Sequence, residues 1–276
     1  MKTIPGWKYY NHCAIANTQP HETPPIEPLQ NGEIWRINGH PYFALWTTDF
    51  DCGYDTGWWY IIRDEMISID KIKSAHSRNS IRRALKKVDA RMIDPFEYES
   101  ELYRVYVKAF SRYKNAPQPV SQDLFRKGIR PNEEYWGAFS KESGVLIGYC
   151  STVIHDDCAV FSSAKYDADY MKLQASEALT FAQLEEYLTI RNLKYISNGQ
   201  RTISHETSIN DFFEHRFDFR KAYCKLHLAY KPGIGAMVRI LYPFRKILYI
   251  FKKLRIVHNL LSILIDRKST RLNSSH

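Results

Sequence analysis

The chain has 276 residues and a formal net charge of +9 at pH 7, and this length allows one large hydrophobic core or two modest ones. The excess charge lies at the C-terminal end. Residues 231–265 carry seven Lys and Arg without any Asp or Glu, and residues 266–276 contribute the other two charges. Residues 1–230 are therefore neutral overall, which argues against a broad nucleic-acid surface, and we expect no DNA partner.

Cysteine content and hydropathy indicate the compartment. The five cysteines are odd in number and have no zinc-site or disulfide-framework spacing, so we expect a reducing cytosol and predict no metal site. Residues 1–13 lack the apolar core of a secretory signal, and no run of roughly 18 uncharged apolar residues occurs, so we expect neither export nor a spanning helix. Residues 266–276 (DRKSTRLNSSH) match the in-frame translation of a common sequencing-library adapter and are set aside.

The first 93 residues predict two segments. Residues 14–31 are rich in Pro, Thr and Asn, so we expect residues 1–31 to form an irregular arm. Residues 32–93 predict a reduced N-terminal β unit with strands over residues 34–37, 42–46 and 58–62, the first two joined by a turn at Asn38-Gly39.

Two carboxylates, Asp49 and Asp51, follow the second of these strands. Carboxylates spaced in this way can hold sugar hydroxyls or a metal ion, and we predict that both contact substrate. The alternative is that both are turn formers, which is a common role of Asp.

A basic helix is predicted over residues 74–87, with a narrow apolar strip at Ile81 and Leu85. Its basic residues form either a solvated face or a contact for phosphate or another polyanion. They are Arg78, Arg82, Arg83, Lys86 and Lys87.

Residues 94–230 show the alternating strand and helix signals of one α/β domain. Residues 91–93 predict a short strand before it. The domain's predicted strands cover 135–139, 145–155, 158–165, 194–197 and 223–230, and its predicted helices cover 96–114, 174–191 and 210–216. The predicted fold class is therefore α/β (α+β), with one mixed, mostly antiparallel sheet flanked by helices.

Residues 197–207 (SNGQRTISHET) contain the densest run of groups able to act as acids or bases. Asn198-Gly199 predicts the turn that ends a buried strand, and a helix start is predicted at Ser208. His205 and Glu206 are thus expected beyond the carboxyl end of a strand, where ligand sites of α/β sheets lie. The alternative is that both are loop residues that satisfy backbone donors.

This order of three antiparallel strands, helix, strand, helix and strand resembles the core of the GNAT acyltransferase superfamily. Residues 78–87 (RNSIRRALKK) and 219–223 (FRKAY) look more specifically like Fem-type transferases. Those enzymes carry two GNAT-like units and attach amino acids to cell-wall precursors, and their relatives occur in surface-polysaccharide pathways. Bacterial GNAT-like proteins also have segments similar to 46–53 (WTTDFDCG) and 205–207 (HET). The resemblance covers roughly residues 32–230.

The resemblance implies an acyl- or aminoacyl-transferase that acts on an amine of a sugar or lipid-linked cell-envelope precursor. The amine must lose a proton, so Glu206 or His205 is the candidate base. Tyr223 is the candidate acid for the leaving group, or else a core residue of the closing strand. Arg201 and Thr207 are predicted to contact the substrate.

The donor stays open between acyl-CoA and aminoacyl-tRNA. GNAT proteins that use acetyl-CoA hold its pyrophosphate with a glycine-rich loop before the helix that follows their fourth strand. Residues 166–174 occupy that place and contain no glycine, so only Lys172 and Gln174 are predicted donor contacts. The rival hypothesis is a non-catalytic GNAT-like module that binds glycan or recruits partners at the membrane.

Residues 231–265 predict a basic amphipathic tail. Arg239, Lys246 and Lys253 are spaced seven apart, as are Arg245 and Lys252, and apolar residues fill most of the rest. Such a pattern is typical of helices that lie on anionic membranes, so we expect peripheral attachment to the inner face of the membrane. The alternative is a helix that packs on the core with one solvated side.

Overall fold

The computed structural model describes residues 3–111, 118–201 and 208–236. The chain divides into two compact units. The first contains Met1–Tyr60, Gln200–Glu206 and Lys221–His276, and the second contains Ile61–Gly199 and Thr207–Arg220. Within the described residues, no helix combines the length and the apolar character needed to cross a membrane. The predicted division into reduced β unit, acyltransferase domain and tail stays a prediction.

The elements are numbered in chain order. The strands are β1 (Trp7–Tyr10), β2 (Cys13–Ala16), β3 (Phe43–Thr48), β4 (Trp59–Arg63), β5 (Val88–Ile93), β6 (Glu133–Ser140), β7 (Leu146–Ile154), β8 (Cys158–Tyr166), β9 (Tyr195–Gln200), β10 (Arg220–Tyr223) and β11 (Lys225–Tyr230). The α-helices are α1 (Glu27–Gln30), α2 (Ala75–Lys87), α3 (Glu99–Phe110), α4 (Gln122–Lys127), α5 (Ala175–Leu184) and α6 (Ser208–Phe217). Short 3₁₀ segments cover Glu33–Arg36, Ile69–Lys71 and Ala168–Leu173, and a π-helical segment, Glu185–Ile190, continues α5.

The sheet of the first unit has the strand order β1-β2-β3-β11. Strands β2 and β3 run parallel, and the other neighbours run antiparallel. Because side chains alternate along a strand, Ala14 and Ala44 join one hydrophobic cluster with Trp7, whereas their neighbours Cys13 and Phe43 join another. Both faces of this sheet are therefore covered.

The larger sheet lies mostly in the second unit and has the order β10-β4-β9-β8-β7-β6-β5. Strands β5 to β8 are antiparallel neighbours, and β8 runs parallel to β9. Strands β7 and β8 lie in one sheet, as predicted. The mixed, mostly antiparallel arrangement confirms the predicted fold class.

Helices cover both faces of this sheet. Leu102 and Val105 of α3 pack against Tyr135 and Phe139. Trp136 is the next residue of β6, and its Nε1 donates a hydrogen bond to the Tyr187 hydroxyl at 2.8 Å. Tyr187 lies on the π-helical segment that continues α5. Since Tyr135 and Trp136 are consecutive on one strand, α3 and α5 lie on opposite faces.

Helix α2 confirms the predicted basic helix. The Ser74 hydroxyl caps it by accepting from the Ser77 N–H at 3.3 Å, and Ser77, Ser80, Ile81 and Ala84 form its buried stripe. Arg82, Arg83, Lys86 and Lys87 are exposed, and Arg78 is half-buried.

Two expectations about secondary structure are wrong. Residues 1–31 are not an irregular arm throughout, because β1 and β2 form a hairpin whose turn residues Asn11 and His12 both have positive φ. Residues 34–37 are not a strand, since Glu33–Arg36 is a 3₁₀ turn. That turn has about three residues per turn, which places Ile34 and Ile37 on the same buried side.

Two further expectations about strand ends also fail. The Asn198-Gly199 pair does not end its strand, because β9 continues to Gln200 with Gly199 at φ 84. The predicted closing strand over residues 223–230 is two strands that part at Cys224. Strand β11 pairs with β3 in the smaller sheet, so residues 130–230 do not form a single sheet.

Candidate functional site

Strands β8 and β9 separate part-way along their length. They pair only at Cys158↔Tyr195, Ala159↔Ile196 and Val160↔Ser197. Beyond Val160, β8 continues beside β7 as far as Tyr166, whereas no residue of β9 pairs with it. The two parallel strands therefore open a gap on the carboxyl side of Val160.

Among the residues that the structure describes, no strand pairs with the edge of β8 that faces this gap. Ser162, Ser163 and Ala164 are all exposed. The two serine hydroxyls bond within the sheet, Ser162 to the Glu133 carboxylate at 2.9 Å and Ser163 to the Ser151 hydroxyl at 2.9 Å. A strand edge of this kind can pair with an extended ligand that carries amide groups.

Aromatic rings pack where the gap begins. Phe161, the first residue of β8 after the paired segment, stacks on Phe213 of α6 with ring centroids 5.1 Å apart. Phe213 in turn contacts Phe219 at 4.9 Å. Helix α6 is thereby held against β8, and the closed end of the gap is apolar.

A cavity of about 240 Å³ lies at the other end of the unpaired half of β8, beside the first turn of α5. Its wall combines apolar, polar and charged side chains. The lining residues are Ile147, Tyr166, Asp167, Tyr170, Met171, Gln174, Ala175, Ser176, Glu177, Phe212 and Arg216.

The charged groups of this cavity are held in place. Glu177 is buried and accepts hydrogen bonds from the Ser80 hydroxyl at 2.9 Å and the Ser176 hydroxyl at 2.7 Å. The Arg216 Nε lies 3.8 Å from the same carboxylate. Asp167, also buried, pairs with Arg104 at 2.5 Å. The acids are thus neutralised by neighbours.

The start of α5 is uncapped. Gln174, in the left-handed conformation at φ 59, is its N-cap residue, and the Gln174 side chain makes no capping hydrogen bond. The free N–H groups and the dipole of a helix start favour an anion. The buried Gln174 Oε1 has no hydrogen-bond partner among the residues that the structure describes.

Gly148 allows Tyr166 to form the cavity wall. A Cβ added at Gly148 would lie 2.8 Å from Tyr166 Cδ1, which is too close, so the ring could not keep this position over any larger residue. Burial raises the pKa of Tyr166 well above its usual value, so its hydroxyl stays protonated at physiological pH.

The two predicted donor contacts differ in position. Gln174 lines the cavity, as described. Lys172 is exposed near the end of the 3₁₀ segment and is not among the lining residues. Tyr170 and Met171 line the cavity instead. A glycine-rich loop at this place would leave the backbone accessible to a ligand, whereas here side chains form the wall.

Other predicted site residues belong to the first unit. Asp49 and Asp51 follow β3 with φ values of 54 and 58, a conformation that Asp tolerates in turns. The Asp49 carboxylate pairs with the Lys225 ammonium at 2.7 Å. Tyr223 is half-buried, and its carbonyl accepts from the Cys52 N–H at 3.0 Å. The structure therefore brings Asp49 and Tyr223 to the same end of the β3–β11 pair.

Arg201 is exposed, also in the first unit. Its backbone N–H donates to the Trp59 carbonyl at 2.8 Å, and its guanidinium donates to the Gly57 carbonyl. The predicted base candidates His205 and Glu206, together with Thr207, lie outside the described residues, so their roles stay predictions.

One contact in the first unit was not predicted. The Thr48 Oγ1 lies 2.7 Å from the His227 Nε2, and the His227 ring stacks on Trp46 at 5.1 Å. Burial lowers the pKa of His227, against a smaller raising effect of Asp49. The sequence holds no local signal for this contact because the two residues are 179 positions apart.

In sequence, the chain matches no protein-family model and no curated protein. In structure it is similar to the C-terminal domain of a protein from Agrobacterium fabrum assigned as a lysylphosphatidylglycerol synthetase, with 12% identity, a TM-score of 0.50, and coverage of 85% of this chain and 82% of that one. It is also similar to L-PGS from Bacillus licheniformis, with 14% identity, a TM-score of 0.50, and coverage of 85% and 83%.

FemX is a third similar structure, with 8% identity, a TM-score of 0.53, and coverage of 71% of this chain and 74% of that one. These likenesses concern the fold, and they agree with the resemblance stated above. The chain therefore has a fold like that of FemX and of the two synthetase structures.

Proposed function

We propose that the protein is an acyl- or aminoacyl-transferase that modifies an amine of a sugar or lipid-linked cell-envelope precursor. The observation that carries this proposal is the gap between β8 and β9, which ends at the uncapped start of α5. An extended donor would lie along the open edge of β8 with its anionic part at the cavity beside Arg216.

The state of Gln174 supports a ligand in that cavity. A buried acceptor without a hydrogen bond costs on the order of 1–3 kcal/mol. The Oε1 of Gln174 is such an acceptor. An N–H or O–H group of a bound acyl-donor molecule would supply the missing hydrogen bond. Arg216 and the helix start would balance the donor's negative charge.

The chemistry needs two proton transfers. The acceptor amine attacks the acyl carbonyl carbon, a base removes the amine proton, and the carbonyl re-forms as the bond to the donor's sulfur or oxygen breaks. The leaving sulfur or oxygen then takes up a proton. We assign the base to Glu206 or His205 and the acid to Tyr223. Residues 201–207 connect β9, one side of the gap, to α6.

Acceptor contacts are proposed in the first unit. Asp49 and Asp51 would accept hydrogen bonds from sugar hydroxyls, and Arg201 would bind an acidic acceptor group, with Thr207 beside it. Asp49 already pairs with Lys225, so an acceptor there has to compete with this ion pair. Lys172, exposed next to the cavity, remains a proposed donor contact.

The similarity in fold to a protein assigned as a lysylphosphatidylglycerol synthetase supports this class, because such an enzyme forms an aminoacylated lipid. We propose that the chain works from the cytoplasmic side, attached to an anionic membrane through residues 231–265. Seven basic residues without an acid suit such a surface, since each base contributes about 1 kcal/mol near anionic lipid.

A non-catalytic module is the second candidate. The observation that favours it is the absence of glycine from residues 166–174, where Tyr170, Met171 and Gln174 occupy the cavity wall. A transfer assay separates the two functions. The full chain is incubated with labelled acyl-CoA or aminoacyl-tRNA and with lipid-linked precursors, and label in the lipid or sugar fraction is counted. Transfer by the chain supports the enzyme. Precursor binding without transfer from either donor supports the module.

A further inference from the structure

Rigid aromatic side chains are exposed at one end of the smaller sheet. Tyr10 is 67% exposed and Tyr42 is 41% exposed. His12 and His40 beside them are exposed, and Lys231 is half-buried. We call these five residues the hairpin face, because they surround the turn between β1 and β2.

Hydrogen bonds and stacking fix this face. His12 stacks on Tyr42 with ring centroids 5.4 Å apart, and its Nδ1 lies 3.1 Å from the Tyr9 hydroxyl. The Tyr42 N–H donates to the His12 carbonyl at 2.8 Å. Gly39 leaves room for the Tyr9 ring, since an added Cβ would lie 2.7 Å from it. The rings of His12 and Tyr42 are therefore held in one arrangement although both are exposed.

The strands of the smaller sheet carry charge of one sign. Residues 3–21, 34–48 and 225–236 contain all four of these strands and no Asp or Glu. Lys8, Arg36 and Lys231 lie in the same segments. Tyrosine with neighbouring basic residues is typical of the membrane–water interface, where the ring is apolar and the hydroxyl remains hydrated.

The basic tail starts beside this face. The Lys231 N–H donates to the Tyr42 carbonyl at 2.9 Å, and Ile234 packs against the cluster of Cys13 and Phe43. Residues 237–265, with six further bases and no acid, follow Ala236 in the sequence. A membrane that attracts the tail would come close to these rings.

From these observations we infer that the hairpin face docks on the headgroup layer of an anionic phospholipid membrane. The inference rests on the proposed membrane association and names the face that meets the lipid. Tyr10 and Tyr42 insert at headgroup depth, and Lys231 pairs with lipid phosphate.

A fluorescent probe at two positions tests the inference. Cys52, the half-buried cysteine, is replaced by Ser, because the other cysteines are buried. Tyr10→Cys is then labelled with an environment-sensitive dye in the full chain. Asn17→Cys is the matched control, since Asn17 is exposed and follows the opposite end of the hairpin, about 13 Å along the strand. Vesicles of phosphatidylglycerol with phosphatidylcholine are compared with phosphatidylcholine alone.

The expected result is a blue shift of the dye at position 10 on phosphatidylglycerol vesicles only, with little change at position 17. Lys231→Gln should weaken vesicle binding roughly fivefold, whereas Lys71→Gln, exposed in the second unit, should not. Bound protein with no shift at position 10, or with equal shifts at both positions, overturns the inference but leaves membrane association standing. If the protein does not bind vesicles, both the docking of the hairpin face and the proposed membrane association are wrong. The transfer assay tests the proposed chemistry independently of these two results.

Discussion

Val160 and Ser197 are the last residues at which β8 and β9 pair, and the gap beyond them is the feature around which the proposed chemistry is arranged. Phe161 and Phe213 line the closed end of this gap. Gln174 and Arg216 line the cavity at its open end. Residues 201–207 follow β9 directly.

Glu206→Gln should reduce transfer by roughly 10²–10⁴-fold, because the amide cannot accept the amine proton. His205→Ala tests the other base candidate in the same assay. Arg201→Gln serves as a comparison that should raise KM for an acidic acceptor more than it lowers kcat. Circular dichroism of each variant should match that of the unaltered chain. Full activity of both Glu206→Gln and His205→Ala would remove this loop from the mechanism.

Coenzyme A should bind weakly or not at all. Residues 166–174 contain no glycine, so side chains hinder the backbone approach that a pyrophosphate needs. Isothermal titration of the full chain with CoA and acetyl-CoA measures this directly. Micromolar affinity would show that the cavity accepts the pyrophosphate despite Tyr170 and Met171.

His227 should make the protein less stable in mild acid. Burial lowers its pKa in the folded chain, so below about pH 6.5 the unfolded chain binds this proton more readily. Stability should therefore fall as pH decreases through that value toward the lowered folded pKa. The urea midpoint of the unaltered chain should drop more between neutral pH and pH 5 than that of His227→Gln, whose amide can still bond to Thr48.

His76→Gln is the matched control for this pH dependence, because His76 is exposed on α2. It should keep the acid sensitivity of the unaltered chain. An identical pH dependence in the unaltered chain and in His227→Gln would contradict the assignment to His227.

Removal of the tail should release the protein from membranes. Because Ile234 packs on the first unit, the truncation is best placed after Ala236 rather than after Tyr230. The full chain should sediment with anionic vesicles and lose part of its binding as salt rises, since charges act only within about a Debye length. The shortened chain should stay in solution. Equal sedimentation of both, or unfolding of the shortened chain, would favour a tail that packs on the body.

Local signals predicted the second unit well and the first unit poorly. The apolar strip of Ile81 and Leu85 and the basic residues around it indicated α2, whose first turn Ser74 caps. Alternating side chains, many of them β-branched or aromatic, indicated β6 to β8. The β1–β2 hairpin turns through Asn11-His12 without glycine, so the usual turn signal is missing. Strand β11 pairs with β3, which is far away in the sequence. Local sequence patterns do not indicate which distant strand a given strand pairs with.

The candidate site was predictable only in part. A position at the start of a helix could be predicted for Gln174 because a strongly periodic helix follows it, whereas its contact with a donor stays a prediction. Arg216 and Glu177 were not predicted to line a site, since each looks like an ordinary charged residue of an amphipathic helix. Their role depends on how α2, α5 and α6 pack together through Ser80, Glu177 and Arg216.

Donor binding by variants of Ala164 tests the central claim most directly. Ala164 is exposed in the unpaired half of β8, so Ala164→Trp should block an extended donor while Ala164→Ser leaves the edge open. Native mass spectrometry of the full chain with acyl-CoA and aminoacyl-tRNA measures bound donor. The account predicts that one donor binds to the unaltered chain and to Ala164→Ser, and that Ala164→Trp binds it at least roughly tenfold more weakly, a loss of about 1.4 kcal/mol. Equal binding by Ala164→Trp, or no binding of either donor to the unaltered chain, would contradict it.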